Sequence, residues 1–258
     1  MERFWGETLA VARRISIELL RRRRSLIFWG IFPLILFLLN GSILAERRQI
    51  ELAEALGLAA PVTLVGAALF FSCLGGSVAI VVAEREQQTL KRLFVSPLSG
   101  TAYFCGIFGA HFAIGLGQAL LVTTFAILLG ATLTGSLVWS LLTLVLSILS
   151  YVGVGFILGT QLARRTEDVN ALVATFGVPL LVLGGTFVPA FLFPEHLLAI
   201  AQFNPIYHMN EAILAATDAT PTWPDFAPHL WVLAFFAVAS VLLGWLSYRR
   251  MLIQERSL

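Results

Sequence analysis

The chain has 258 residues, of which 58% are hydrophobic and only 12% are charged, and its formal net charge is +2. A soluble domain carries charge on about a quarter of its residues, so a solvated surface is excluded for most of this chain. The small net charge gives no reason to expect nucleic-acid binding, and the composition predicts an all-α integral membrane protein in contact with membrane lipid.

The first predicted element is an amphipathic helix over residues 1–24. Its apolar side chains recur at helical spacing between arginines and glutamates, which is the pattern of a helix lying in the membrane interface. The run Arg21–Arg24 then favours contact with anionic lipid headgroups. The alternative is that this segment is a topology signal and nothing more.

Six later segments have about the 20 apolar residues that a helix needs to cross the hydrocarbon core. None of them has Asp, Glu, Lys or Arg in its interior. The predicted spans are Ser25–Ala45, Gly57–Ala83, Ala102–Leu129, Leu137–Leu162, Ala171–Phe193 and His229–Tyr248. The whole chain, 1–258, is predicted to be one domain, with spans 1–2 in 25–83, spans 3–5 in 102–193, and span 6 with a tail in 229–258.

The basic residues predict the orientation. Fifteen of the 17 fall in segments on one side of the predicted membrane, and only Arg47 and Arg48 fall on the other. Because Lys and Arg concentrate in cytoplasmic loops, both termini are predicted to be cytoplasmic.

The loop 84–101, between spans 2 and 3, is predicted to contain a coupling helix. Its charged start includes Glu84 and Glu86, and Leu90, Leu93 and Phe94 follow at helical spacing as one apolar stripe. A short helix with such a stripe suits docking in the groove of a partner protein. The alternative is a solvated turn whose leucines touch the headgroups.

The segment 194–228, between spans 5 and 6, holds two apolar stretches, Pro194–Asn204 and Ile206–Ala216, that are too short to cross. Prolines interrupt it repeatedly, so the chain must turn. We expect a re-entrant hairpin in the outer leaflet, and helices lying flat on the outer surface are the alternative. Its candidate gate residues are Asn204, Pro205, His208 and Glu211.

Two polar residues lie within the third predicted span. His111 and Gln118 are seven residues apart and fall on roughly the same helix face. Polar side chains at this depth mostly bond neighbouring helices, and we expect that role for both. A polar-lined pathway is the alternative.

Nucleotide hydrolysis and intramembrane catalysis are not expected. The only lysine, Lys91, follows Leu90 rather than the glycine that a phosphate-binding P-loop requires. The spans contain no aspartate, no H-E-x-x-H motif occurs, and the four histidines lack the spacing of metal ligands. We therefore predict no enzyme activity, no metal site and no cofactor in this chain.

Two stretches give the chain a family resemblance. "EREQQTLKRLFVSPLS" follows the second predicted span and "NPIYHMNEAI" precedes the last, and the N-terminal interfacial helix completes the pattern. With these, the chain resembles the permease subunit of type-2 ATP-binding-cassette (ABC) exporters over nearly its whole length. It departs from the family pattern at Gln88, where glycine is typical, and at Ile213, where arginine is frequent.

The resemblance implies a permease in the plasma (inner) membrane of a prokaryote, paired with itself or with a homologous permease. A separate cytoplasmic ATPase would bind ATP and Mg²⁺, and residues 84–96 would correspond to the region that contacts it. The apolar interior favours a hydrophobic or amphiphilic substrate, such as a lipid, a drug or a lipid-linked glycan. The alternatives are an ATP-independent channel or ion-coupled transporter, and a membrane scaffold protein.

Overall fold

The computed structural model describes residues 2–87, 98–132 and 134–256, the last three without their side chains. Helices make up nearly all of this part of the chain, and six of them are long and apolar enough to cross a membrane. The predicted all-α membrane fold is confirmed.

The helices are numbered here in chain order within the described residues. They are α1 (Glu2–Arg21), α2 (Arg23–Arg48), α3 (Leu52–Glu86), α4 (Gly100–Leu128), α5 (Leu137–Leu162), α6 (Thr166–Leu183), α7 (Glu195–Ala201), α8 (Pro205–Thr217) and α9 (Trp223–Arg256). The candidate spans are α2 to α6 and α9, and α3, α5 and α6 each include π-helical turns.

The long helix α3 forms the centre of the bundle. Of its apolar stretch 83% is buried, against 56% or less in every other span of the described chain. Small residues bring neighbouring helices against it. A Cβ at Gly155 of α5 would collide with the Ser77 hydroxyl at 1.8 Å, and one at Gly159 would be 3.0 Å from the Val81 Cβ. Close backbone approach of this kind is typical of helices packed within a membrane.

Helix α1 lies along the beginning of α4. Thr8, Val11, Ile15 and Leu19 form its buried face, and Gly106 of α4 leaves room for Val11, whose Cβ would be 2.6 Å from a Cβ at that glycine. The backbone N–H of Ser99 donates to the Glu7 carboxylate at 3.1 Å, and this bond lowers the pKa of that carboxyl group.

A second face of α1 remains apolar and uncovered. Trp5, Leu9 and Leu20 are 64%, 70% and 64% exposed, and they follow one side of the helix next to its buried face. This arrangement suits contact with lipid, and the interfacial position of α1 stays a prediction.

The fifth span ends earlier than predicted. Helix α6 begins at Thr166 and ends at Leu183, ten residues before the expected end at Phe193. Gly185 has φ +83°, and Thr186 N and Gly185 N bond the carbonyls of Leu181 and Val182 at 3.0 and 3.1 Å. These bonds form a Schellman motif, which stops a helix at a left-handed glycine. The apolar residues beyond it belong to a turn and a short 3₁₀ helix, Ala190–Leu192.

The C-terminal part of α9 and the middle of α1 lie at the same end of the bundle. The ring of Tyr248, near the end of α9, stacks on Tyr103 of α4 with centroids 5.6 Å apart, and Arg14 of α1 pairs with Glu84 at the end of α3. We call this the inner end, and the opposite end the outer end.

Cysteine labelling tests which side of the membrane each end faces. Cysteines introduced at Arg164 and at the termini, with Cys73 and Cys105 replaced, should react only with cytoplasmic reagent, because fifteen of the 17 basic residues fall in the segments predicted to be cytoplasmic. Cysteines at Glu51 and Asp218 should react only from outside. Labelling of position 218 from the cytoplasm alone would reverse the orientation.

Candidate functional site

Three consecutive charged residues end helix α3 at the inner end. Glu84 is 5% exposed. Its carboxylate accepts hydrogen bonds from the Arg14 guanidinium of α1 and from the Tyr103 hydroxyl of α4. This one side chain therefore ties α3 to both the N-terminal helix and the third span.

The next residue, Arg85, reaches the fourth span. Its Nη1 donates to the backbone carbonyls of Gly159 at 2.9 Å and Ala163 at 3.1 Å, with Thr160 O at 3.4 Å. The last carbonyls of a helix have no partner within that helix, and a cation there is favoured by the helix dipole. Arg85 thus caps the C-terminus of α5.

Glu86 makes the complementary contact with the fifth span. Its carboxylate accepts a hydrogen bond from Thr166 N at 3.1 Å and another from the Thr166 hydroxyl. The first N–H groups of a helix lack partners, and a negative charge there is favourable. Glu86 therefore supports the N-terminus of α6.

We call Glu84, Arg85 and Glu86 the inner hub. Together they join α3 to α1, α4, α5 and α6 immediately before residues 88–97. Glu84 and Glu86 were predicted to act in partner coupling. Both carboxylates accept hydrogen bonds within this chain, and their part in coupling stays a prediction. The predicted stripe, Leu90, Leu93 and Phe94, lies outside the described residues.

A second cluster of polar contacts surrounds the outer end of α6. The side-chain Nδ2 of Asn204 donates to the carbonyl of Leu180 at 2.6 Å. The Nδ2 of Asn210 donates to the carbonyl of Gly184 at 2.8 Å and to the Thr186 hydroxyl at 3.0 Å. Two asparagine amides thus bind oxygen atoms of the last turn of α6 and of the residues just after it.

Thr186 connects this cluster to the first two spans. Its carbonyl accepts a hydrogen bond from Asn40 Nδ2 of α2 at 2.9 Å, and its side chain lies directly on Gly66 of α3, where a Cβ has no room. Thr186 is fully buried. We call Asn40, Thr186, Asn204 and Asn210 the outer clamp, because they hold α2, α6 and α8 against α3.

The predicted gate residues all belong to the first turns of α8. Asn204 is its N-cap, accepting a hydrogen bond from Ile206 N at 3.0 Å, and Pro205 occupies the first turn, where it is favoured. His208 bonds His229 of α9. Glu211 lies one turn further on, and burial raises the pKa of its carboxyl group.

The sequence analysis missed Asn40 and Asn210. Both are buried amides in apolar helices, at 6% and 2% exposure. A buried polar amide in such a helix is unfavourable unless another segment supplies a hydrogen-bond partner. The two asparagines in apolar helices therefore indicate contacts between segments. Neither asparagine stands out from its surroundings, because Asn40 lies inside an apolar span and Asn210 inside an apolar stretch of the expected hairpin.

The two polar residues of the third span are both buried within one chain. His111 Nδ1 bonds the Ile107 carbonyl of its own helix at 2.9 Å, and its Nε2 lies beside Gly76 of α3. The interhelical hydrogen bond expected of His111 stays a prediction. Gln118 is 8% exposed, and its Oε1 is unpartnered.

Comparison with known proteins adds the family. A profile described as "ABC-2 type transporter" matches residues 6–217. The inner membrane transport permease YadH of Escherichia coli (strain K12) is 30% identical over 164 residues, which are 62% of this chain and 61% of that protein. The probable multidrug ABC transporter permease YbhR of the same strain is 31% identical over 132 residues, 51% of this chain and 36% of that protein. The similarity thus spans about three fifths or less of the length of these relatives.

Proposed function

Because the chain belongs to the ABC-2 type transporter family, we propose that it is the permease subunit of an ATP-driven exporter. It is a multi-pass protein of the inner membrane, and in this proposal it forms the translocation pathway. A separate cytoplasmic ATPase subunit binds ATP and Mg²⁺ and supplies the energy.

The inner hub is the observation that carries this proposal. Residues 88–97 follow the hub at once, and the hub is bonded to four other helices. A partner that moves this loop therefore acts on α1, α4, α5 and α6 together. This arrangement suits a chain that receives mechanical work from a partner.

The exposure of α6 supports pairing with a second permease, either another copy or a homologue. Helix α6 has the lowest mean hydropathy of the six spans, 1.4, yet only 17% of it is buried. A span facing lipid on most of its surface should be among the most apolar. Its exposed residues include the small or polar Asn170, Ala171, Ala174 and Thr175, which suit helix–helix contact.

A hydrophobic or amphiphilic substrate remains the proposal for the cargo, for example a lipid, a drug or a lipid-linked glycan. The apolar interiors of the spans support it, since a highly charged solute would need charged partners along its path.

The region between α6 and α9 is proposed to dip into the outer leaflet. Phe203, at the turn between α7 and α8, is 91% exposed, and Phe191, Leu192 and Ile200 are also exposed. Contiguous uncovered apolar side chains favour an apolar surrounding. Their presence next to the outer clamp supports a gate at this end.

Replacing Leu93 by aspartate tests the coupling role. Burial of one leucine in a groove contributes about 1.5–3 kcal/mol, so loss of that contact should weaken co-purification of the ATPase at least about tenfold. The alternative effect is hydrolysis that no longer drives transport. Both are measured with the complex reconstituted in vesicles.

Arg92→Ala, on the polar side of the predicted stripe, is the control and should change little. Expression and membrane insertion of Leu93→Asp should match the unsubstituted protein. If Leu93→Asp leaves both ATPase binding and substrate-stimulated hydrolysis unchanged, the loop does not dock the partner.

A further inference from the structure

Two histidines face each other at the outer end. His208 of α8 and His229 of α9 are half-buried, and their Nδ1 atoms are 3.0 Å apart. The other ring nitrogen of His208, Nε2, is 2.8 Å from the carbonyl oxygen of Gln202, just after α7. The pair therefore links α7, α8 and α9.

These two hydrogen bonds fix the proton positions. A carbonyl oxygen only accepts hydrogen bonds, so Nε2 of His208 must carry a proton. In a neutral His208, Nδ1 is then an acceptor, and the Nδ1 of His229 must donate to it. His229 is thus held in the Nδ1–H form and His208 in the Nε2–H form.

The bond between the rings responds to protons in two steps. A first proton leaves an imidazolium facing an imidazole, and one N–H still points at one lone pair. A second proton places two N–H groups and two positive charges at the same 3.0 Å separation. The linkage between the rings is lost at that second step.

Few charges surround the pair. The Tyr207 ring contacts both imidazoles, with centroids 5.3 and 5.8 Å away. Glu211 lies one turn beyond His208, and the Asp225 carboxylate, one turn before His229, is bonded by the Thr222 hydroxyl. Other titratable groups on the helices packed against α8 and α9 include Glu195 and His196 of α7 and Glu54 of α3, all exposed, and Tyr151 of α5, whose hydroxyl bonds Val65 O.

We propose that the His208–His229 pair is a proton-operated latch at the outer end, closed with no proton or one extra proton and open with two. Opening removes the hydrogen bond that links α8 to the last span. Histidine changes charge between about pH 5 and 8, so acidification on this side of the membrane acts on the latch. The latch does not depend on the ATPase partner or on the nature of the substrate.

Nitrogen NMR of the full chain in lipid nanodiscs, with ¹⁵N-labelled histidine, tests the closed state. The chain has only four histidines, so single substitutions assign the signals. At about pH 7.5 we expect His208 as the Nε2–H form and His229 as the Nδ1–H form, with a scalar coupling between the facing nitrogens. The same tautomer in both rings, or no coupling, would overturn the proposal.

Amide hydrogen exchange tests the opening. Protection factors in α8 should fall by about tenfold or more between pH 7.5 and about pH 4.5, as expected for loss of one hydrogen-bonded link. His229→Leu should give low protection at both values, while His196→Gln, an exposed histidine of α7, should behave like the unsubstituted chain. Equal protection at both pH values in the unsubstituted chain would exclude the latch.

Discussion

Replacing Glu84 by alanine should lower the free energy of unfolding by about 1–3 kcal/mol, the cost of leaving a buried polar group without its hydrogen-bond partner. The Glu84 side chain is 6% exposed, whereas that of Arg14 is 41% exposed and can regain water. The Tyr103 hydroxyl is left without an acceptor in a buried position. We therefore expect the main loss to come from Tyr103 and from detachment of α1.

Reversible unfolding in mixed micelles measures this effect, and limited proteolysis of α1 reports its release from α4. Glu84→Gln keeps an acceptor for both partners and should lose less. Glu18→Ala is the matched control on α1, because the Glu18–Arg22 pair is partly exposed and is worth less than about 1 kcal/mol. An equal loss in Glu84→Ala and Glu18→Ala would show that the inner hub does not hold α1.

Asn204→Asp should destabilise the attachment of α8 to α6 by roughly 2–4 kcal/mol, because a buried carboxylate would face the Leu180 carbonyl. Aspartate is as good an N-cap as asparagine, so the bond from Ile206 N is kept. Only the donor to Leu180 O is lost. The substitution therefore removes the hydrogen bond to Leu180 O and keeps the N-cap hydrogen bond from Ile206 N.

Amide exchange in residues 180–186 and equilibrium unfolding measure the change. Protonation of the introduced carboxylate restores a hydrogen-bond donor, so the loss of stability should become smaller as the pH falls. Asn204→Ser, which keeps the cap without a charge, should lose less, and Asn170→Asp, exposed at the start of α6, should be close to neutral. If Asn204→Asp and Asn170→Asp behave alike, the outer clamp does not hold the hairpin.

The spans could be predicted from sequence because hydropathy is a local property. All six appear in the structure, and α5 has the predicted limits, Leu137 and Leu162. The end of α6 was missed because the apolar residues after Gly185 continue the hydropathy signal, while the left-handed glycine that stops the helix does not alter it.

The sites were predicted only in part, because their partners are distant in the chain. Glu84 and Glu86 were selected from their position, yet Arg14 and Thr166, which they bind, are 70 and 80 residues away. No local spacing relates these residues. The same holds for Asn40, which bonds a carbonyl 146 residues further on. The roles of Leu90, Leu93 and Phe94 stay predictions.

The backbone of α3 connects the outer clamp and the inner hub directly. Gly66, beneath the outer clamp, and Glu84, in the inner hub, belong to one helix and are separated by about 27 Å along its axis. Between them lie the last two residues of Thr63–Ala68 and all of Phe70–Gly75, two segments with π-helical hydrogen bonding.

Each π-helical turn holds about one residue more than an α-helical turn. Successive residues of an α-helix are about 100° apart, so converting one such turn to α geometry would rotate the inner part of α3 by that angle. Glu84, Arg85 and Glu86 would then face other neighbours. The two ends of α3 can therefore move relative to each other by rotation about the helix axis, in steps of one residue.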